Sequence, residues 1–137
     1  MTDPSSQTLL PHPLPNCADS RTLLIAMRRM AIHGLRDAVA ANLLLGQFGL
    51  GAQKVGTLLR AMLTDIALAA QGNVVIAPCC VPRMTPHERL MLLAIADPDR
   101  SAEPLLELTS SADCLRPVVA TRTLADALAA MGRPVRL

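Results

Sequence analysis

Apolar residues recur every three or four positions through most of the chain after residue 17, the spacing that places them on one face of an α-helix. The first such pattern begins near Asp19 or Ser20, either of which can cap a helix, and stops at Gly46. Gly34 lies on its apolar stripe and allows either a close helix crossing or a kink. The pattern predicts one helix whose core side consists of Leu23, Leu24, Met27, Met30, Ala31, Leu35, Ala38, Ala41 and Leu45.

A second apolar stripe predicts a helix over residues 52–71, which the stop signal at residues 72–73 ends. Residues 74–77 include three β-branched side chains, so we expect a small strand or an extended buried run. A stretch rich in proline and cysteine follows at residues 78–82. Proline removes a backbone donor and restricts the residue before it, so this stretch predicts a turn and not a helix.

Thr85, Pro86 and Glu88 carry the strongest local signal in the chain. Thr85 suits an N-cap, Pro86 suits the first helical position, and Glu88 can complete a capping box. Residues 90–96 are all apolar, so we expect the third helix to be central and buried. Two further helices are predicted, from residue 101 or 102 to 108 and from residue 121 or 123 to 131.

These patterns predict an all-α fold, a compact bundle of four to five helices with a proline- and cysteine-rich central turn. Residues 1–17 contain four of the prolines among polar residues and predict a flexible N-terminal arm. Residues 18–137 are expected to form a single helical domain, since 137 residues suffice for one core. The absence of Trp and Tyr counts against a β-sandwich or barrel.

Charge and hydropathy argue against a nucleic-acid-binding domain and against a membrane-spanning protein. The net charge of +2 is far from the strongly basic balance typical of nucleic-acid-binding domains. No uninterrupted apolar run approaches the roughly 18–20 residues of a membrane span. The N-terminal residues do not resemble an export signal, so we expect a cytoplasmic protein whose four cysteines are reduced thiols or metal ligands.

Cys79, Cys80, His87 and Cys114 form the one set of residues with metal-ligand chemistry. Four such side chains could hold zinc or an iron–sulfur cluster, although the Cys-x-x-Cys spacing of a zinc knuckle is missing. Redox chemistry of the thiols is a further hypothesis. The ordinary interpretation is that these cysteines are small buried hydrophobic residues.

Arg29, His33 and Asp37 follow one another at intervals of four on the predicted first helix. In one hypothesis Asp37 orients His33 as a general base. The ordinary interpretation is a solvated ladder of helix-stabilising pairs, and no serine nucleophile elbow or pair of carboxylates supports an enzyme.

An outer stripe on the same helix predicts an interaction surface. Ile25, Ile32 and Val39 repeat every seven residues, and they are flanked by Arg21, Arg28 and Arg36. A helix that is apolar on two sides is either enclosed in its own fold or used in self-association. Its arginines could also contact phosphates, although aromatic residues for base stacking are missing.

Three stretches carry a resemblance to an uncharacterised family of small proteins from sphingomonad-type alphaproteobacteria. They are Arg28-Arg29-Met30-Ala31-x-His33-Gly34-Leu35-x-Asp37-Ala38, Asn42-x-Leu44-Leu45-Gly46-x-Phe48-Gly49 and Ala77-Pro78-Cys79-Cys80-x-Pro82-Arg83-Met84-Thr85. The resemblance covers most of the chain after Leu9. The resemblance directs attention to His33, Asp37 and the Cys-Cys turn as residues of interest. The family has no assigned activity.

The function expected from the sequence is non-catalytic. We predict a small cytosolic regulatory or adaptor protein that associates with a protein partner, or with a second copy of itself, through helix surfaces. The alternative is a thiol- or metal-dependent protein centred on the Cys79-Cys80 turn. A second alternative is an arginine-mediated nucleic-acid binder.

Overall fold

Side-chain N-caps begin two of the helices, at Asp37 and Thr85, whereas the first helix begins after Cys17 and not at the predicted cap Asp19 or Ser20. The computed structural model describes residues 10–110 and 114–137. Within these ranges the α-helices are α1 Ala18–His33, α2 Ala38–Phe48, α3 Ala52–Ala69, α4 Pro86–Ala96, α5 Ala102–Leu108 and α6 Leu115–Ala130. Two short strands, β1 His12–Pro13 and β2 Arg83–Met84, pair antiparallel. The prediction of a mostly helical fold is confirmed, and the small sheet was not predicted.

The helix predicted to run as far as residue 45 is two helices. Gly34 ends α1 with a backbone φ of 108°, a conformation that favours glycine. Asp37 then caps α2, because its carboxylate accepts a hydrogen bond from the Ala40 amide at 3.0 Å. The apolar period continues across this corner, which is why the sequence pattern concealed it.

The corner also changes which residues of α2 are buried. The single-helix prediction placed Ala38, Ala41 and Leu45 in the core, whereas all three are exposed. The buried residues of α2 are Ala40, Leu44 and Phe48. The prediction was wrong here because four non-helical residues rotate the second helix relative to the first.

The core lies mainly between α3 and its neighbours. Val55, Leu59 and Met62 of α3 are fully buried. Leu24 and Met27 of α1 and Leu92 of α4 are equally buried. No helix within the described residues is both long enough and apolar enough to cross a membrane.

The last helix begins six or more residues earlier than predicted. It starts at Leu115, and Pro117 lies in its first turn. Backbone N–H groups in the first turn have no hydrogen-bond partner within the helix, so a proline is tolerated there. Thr121, which was expected near the start, is fully buried inside the helix. Cys114 occupies the N-cap position.

The described part of the N-terminal arm lies against the domain. The Arg83 guanidinium donates to the carbonyl oxygens of Leu10 and Pro11 at 2.8 and 2.6 Å. Leu14 packs against the core. The rest of the predicted arm, residues 1–9, lies outside the described residues.

A buried ion pair connects α1 to the start of α4. Arg28 and Glu88 are both 0% exposed, and Nε of the arginine lies 2.7 Å from Oε2 of the glutamate. Arg28 also donates to the carbonyl oxygens of Val81 and Arg83 at 2.7 and 2.6 Å. The prediction that Arg28 belongs to an outer interaction surface is therefore wrong, and its role is to hold residues 81–83 against α1.

The predicted capping box at the start of α4 is confirmed. The Thr85 hydroxyl oxygen accepts from the Glu88 amide at 3.0 Å, and the Glu88 carboxylate accepts from the Thr85 amide at 2.8 Å. The same hydroxyl donates to the Val75 carbonyl at 2.7 Å. Thr85 thus joins the helix start to the chain segment that precedes the turn.

We expect Thr85→Ala to lower the free energy of unfolding by about 0.5–2 kcal/mol, because the Glu88 amide loses its acceptor. Urea denaturation measures this effect. Thr85→Ser is the matched control, since it keeps the hydroxyl and should lie close to wild type. An unchanged midpoint for the alanine variant would contradict the role assigned to the cap.

Candidate functional site

Residues 73–77 belong to no helix or strand and connect α3 to the turn at residues 78–81. The Val75 amide donates to Nδ1 of His87 at 2.7 Å, and the Val75 carbonyl accepts from Thr85. The Ala77 amide points to Oε2 of Glu88 at 3.4 Å. Alternate residues of this segment are therefore bound to the first turn of α4, which fixes the position of the segment.

An apolar groove of about 550 Å³ lies beside this segment. Its walls come from the end of α1 and the corner that follows it, the C-terminal half of α3 and the segment itself, and they include Leu35, Leu63, Ala67, Leu68, Val74 and Ile76. None of the side chains that line it is charged. Leu68 is 75% exposed, although it is among the largest apolar side chains in the groove. The groove can therefore bind an apolar partner surface.

An ion pair stabilises the corner between α1 and α2, next to one wall of the groove. Nε and Nη2 of Arg29 donate to the two carboxylate oxygens of Asp37 at 3.0 and 3.1 Å. This contact with Arg29, followed by the hydrogen bond from the Ala40 amide, lowers the pKa of Asp37. The same pairing raises the pKa of Arg29.

The predicted ladder along one helix is wrong, because α1 ends at His33. Arg29 and Asp37 instead pair across the corner. The two oxygens of Asp37 bind Arg29 and the Ala40 amide, and His33 lies exposed. This arrangement holds the corner together and does not present His33 as an oriented base.

The four predicted metal ligands have separate environments. Cys79 is half-buried and Cys80 is exposed, whereas Cys114 is buried in the core. Nδ1 of His87 is occupied by the Val75 amide. Across residues 10–110 and 114–137, no three His, Cys, Asp or Glu side chains are grouped closely enough to hold a metal ion. The structure does not bring the four residues together as a metal site.

The predicted interaction stripe is divided by the corner. Ile25 and Ile32 lie on α1, whereas Val39 lies at the start of α2, so the seven-residue repeat does not follow one helix. Ile32 and Val39 are about half exposed and Ile25 is less so. Of the flanking arginines, Arg21 donates to the Pro15 carbonyl at 3.1 Å, Arg28 is buried, and Arg36 is exposed.

The residues of the groove were not identified as a site from the sequence. Leu68 follows Ala67 and precedes Ala69 and Ala70, so the apolar face of α3 is wider at this end than one buried stripe needs. Residues 74 and 76 could also have been recognised as one face of an extended segment. Neither signal shows that the two surfaces meet, since that depends on the tertiary contact with α4.

A comparison with protein families matches residues 1–133 to the Family of unknown function (DUF6628). No curated protein and no solved structure matches the chain. The family match agrees with the resemblance to an uncharacterised family, and it assigns no activity to the groove or to the turn.

The Asp37→Asn variant tests the corner ion pair, because asparagine can still cap α2 but carries no charge. The pKa of Asp37 is lowered from 3.8 in the folded state. Its ion pair therefore stabilises the fold above about pH 4, and this stabilisation is lost as the pH falls through the lowered pKa. The difference in unfolding free energy between wild type and variant should be constant near neutral pH and shrink in acid. Denaturation at a series of pH values measures it, and a difference independent of pH would contradict the assignment.

Proposed function

The chain belongs to the Family of unknown function (DUF6628), and we propose that it is a small non-catalytic regulatory or adaptor protein that binds another protein through the groove. One observation carries the proposal. The groove is lined without a charged side chain, and two of its large apolar lining residues, Leu35 and Leu68, are left exposed.

The energetics of burial support this role. Covering one exposed leucine side chain contributes about 1.5–3 kcal/mol. Ile66 and Met91 on the groove lining are almost completely buried, so the floor belongs to the packed core. Such a groove can receive a partner without rearrangement of the fold.

The proposal includes a cytoplasmic location and a protein partner or a second copy of the chain. All four cysteines are free thiols, which suits a reducing compartment. An origin in sphingomonad-type alphaproteobacteria remains a prediction from the resemblance.

The nucleic-acid alternative has less support than the groove. Arg28 is enclosed in the fold and Arg29 is paired with Asp37. Of the four arginines expected on one helix, Arg36 lies beyond the end of α1. They do not form the continuous basic surface that phosphate contacts require.

The thiol- or metal-dependent alternative also has less support than the groove, because Cys79 and Cys80 of the turn and Cys114 have separate environments.

Photo-crosslinking in cells of the source organism tests the proposed association. A photoreactive phenylalanine derivative replaces either Leu68 in the groove or Leu115 at the start of α6, which are 75% and 73% exposed. We expect a discrete protein adduct from position 68, because a partner covers the groove, and none from position 115. Adding Leu35→Asp on the groove wall should remove the adduct.

The mass of the adduct identifies the kind of partner. An adduct of twice the chain mass would indicate self-association, and sedimentation should then show a dimer. If the predicted stripe takes part in that dimer, Ile32→Asp should weaken it. Equal labelling from positions 68 and 115, or labelling that Leu35→Asp leaves unchanged, would contradict the proposed function.

A further inference from the structure

We propose that the groove binds an extended peptide segment of the partner, which adds as a strand to the open edge of residues 73–77. This inference rests on the proposed function and specifies the chemistry of the partner. It follows from three features of the segment: its unpaired backbone edge, the alternation of its side chains and the charge around the groove.

The first feature is an unpaired backbone edge. In extended backbone the N–H and C=O of one residue point to the same side, and those of the next residue point to the other side. Both polar groups of Val75 and the Ala77 amide are bound at the start of α4, which is the alternation expected of an extended segment and places the polar groups of Val74 and Ile76 on the opposite edge. Among the described residues, no hydrogen bond reaches the backbone of Val74 or Ile76. Unpaired backbone groups need water or a partner, and here they form a template for another strand.

The second feature is the alternation of side chains. Val74 and Ile76 line the groove and pack against the core, whereas Val75 points outward and is exposed. A strand added along the open edge would place every second side chain on the face of Val74 and Ile76. Those side chains would enter the groove, so one peptide can satisfy the backbone edge and fill the apolar site together.

The backbone edge also distinguishes the partner from a docked helix. A helix satisfies its own backbone groups internally and offers none to Val74 or Ile76. The open segment of five residues spans about 17 Å, enough to pair with a peptide of similar length. Strand addition is therefore the binding mode that uses every exposed feature of the site.

The third feature is charge. The groove lining is uncharged, and the exposed Arg36 directly follows the lining residue Leu35 in the chain. Among the ion pairs of the described residues, none involves Arg36. The complementary peptide carries apolar residues at alternate positions, and a carboxylate at its Leu35 end would complement the charge of Arg36.

A displayed library of random twelve-residue peptides, selected against the full chain, tests this inference. We expect the selected peptides to share apolar residues at every second position together with an acidic residue. Leu68→Asp should weaken their binding by about tenfold or more, and Leu115→Asp should bind them like wild type. Arg36→Gln should weaken binding about two- to fivefold.

Amide hydrogen exchange of the chain with a selected peptide separates strand addition from other modes. The Val74 and Ile76 amides should become protected on binding. Methylation of every second backbone nitrogen of the peptide should abolish binding for one of the two possible sets of alternate nitrogens. Peptides with helical spacing, or binding that leaves both amides unprotected, would overturn strand addition while leaving association through the groove intact. A selection that returns no peptide dependent on Leu68 would overturn both.

Discussion

The buried ion pair between Arg28 and Glu88 is the interaction on which the rest of the structure depends. Both side chains are withdrawn from water, and removing an ion from water costs several kcal/mol even after relaxation. Four hydrogen bonds from the guanidinium, two to the carboxylate and two to backbone carbonyls, offset that cost. A buried ion pair is seldom more stabilising than well-packed apolar residues at the same two positions. We therefore infer that the main effect of this pair is to fix the position of the chain segments that it joins.

The position it specifies is that of the chain between α3 and α4. Glu88 closes the capping box of α4, accepts from Arg28 of α1 and lies near the Ala77 amide. One carboxylate therefore joins two helices and the extended segment that forms a wall of the groove. The groove lies between this segment and α3, and the hydrogen bonds of Val75 bind the segment to the start of α4. The proposed function thus depends on a contact between residues sixty positions apart.

Features of the fold that depend on neighbouring residues could be predicted from the sequence, whereas features that depend on tertiary contacts could not. The capping box at Thr85 depends on a few neighbouring residues, so propensity and spacing predicted it, whereas α3 ends at Ala69, before the predicted stop at Gly72. The break at Gly34 was hidden because the apolar period of α1 continues into α2. Arg28 was assigned to the surface because an arginine on a helix is normally solvated, and its partner Glu88 cannot be identified without the tertiary structure. The metal-ligand set rested on residue type alone, and the fold gives each member a different environment.

Amide hydrogen exchange of Val75 in the Arg28→Met/Glu88→Gln variant tests the central claim most directly. Glutamine keeps an acceptor for the capping box, and the Val75 amide keeps His87 as its own acceptor, so neither local contact is removed. If the ion pair positions the segment, the Val75 amide should exchange about tenfold faster or more in the variant, while the amides of α3 stay protected. Unchanged protection of Val75 would contradict the claim that this pair sets the geometry of the groove.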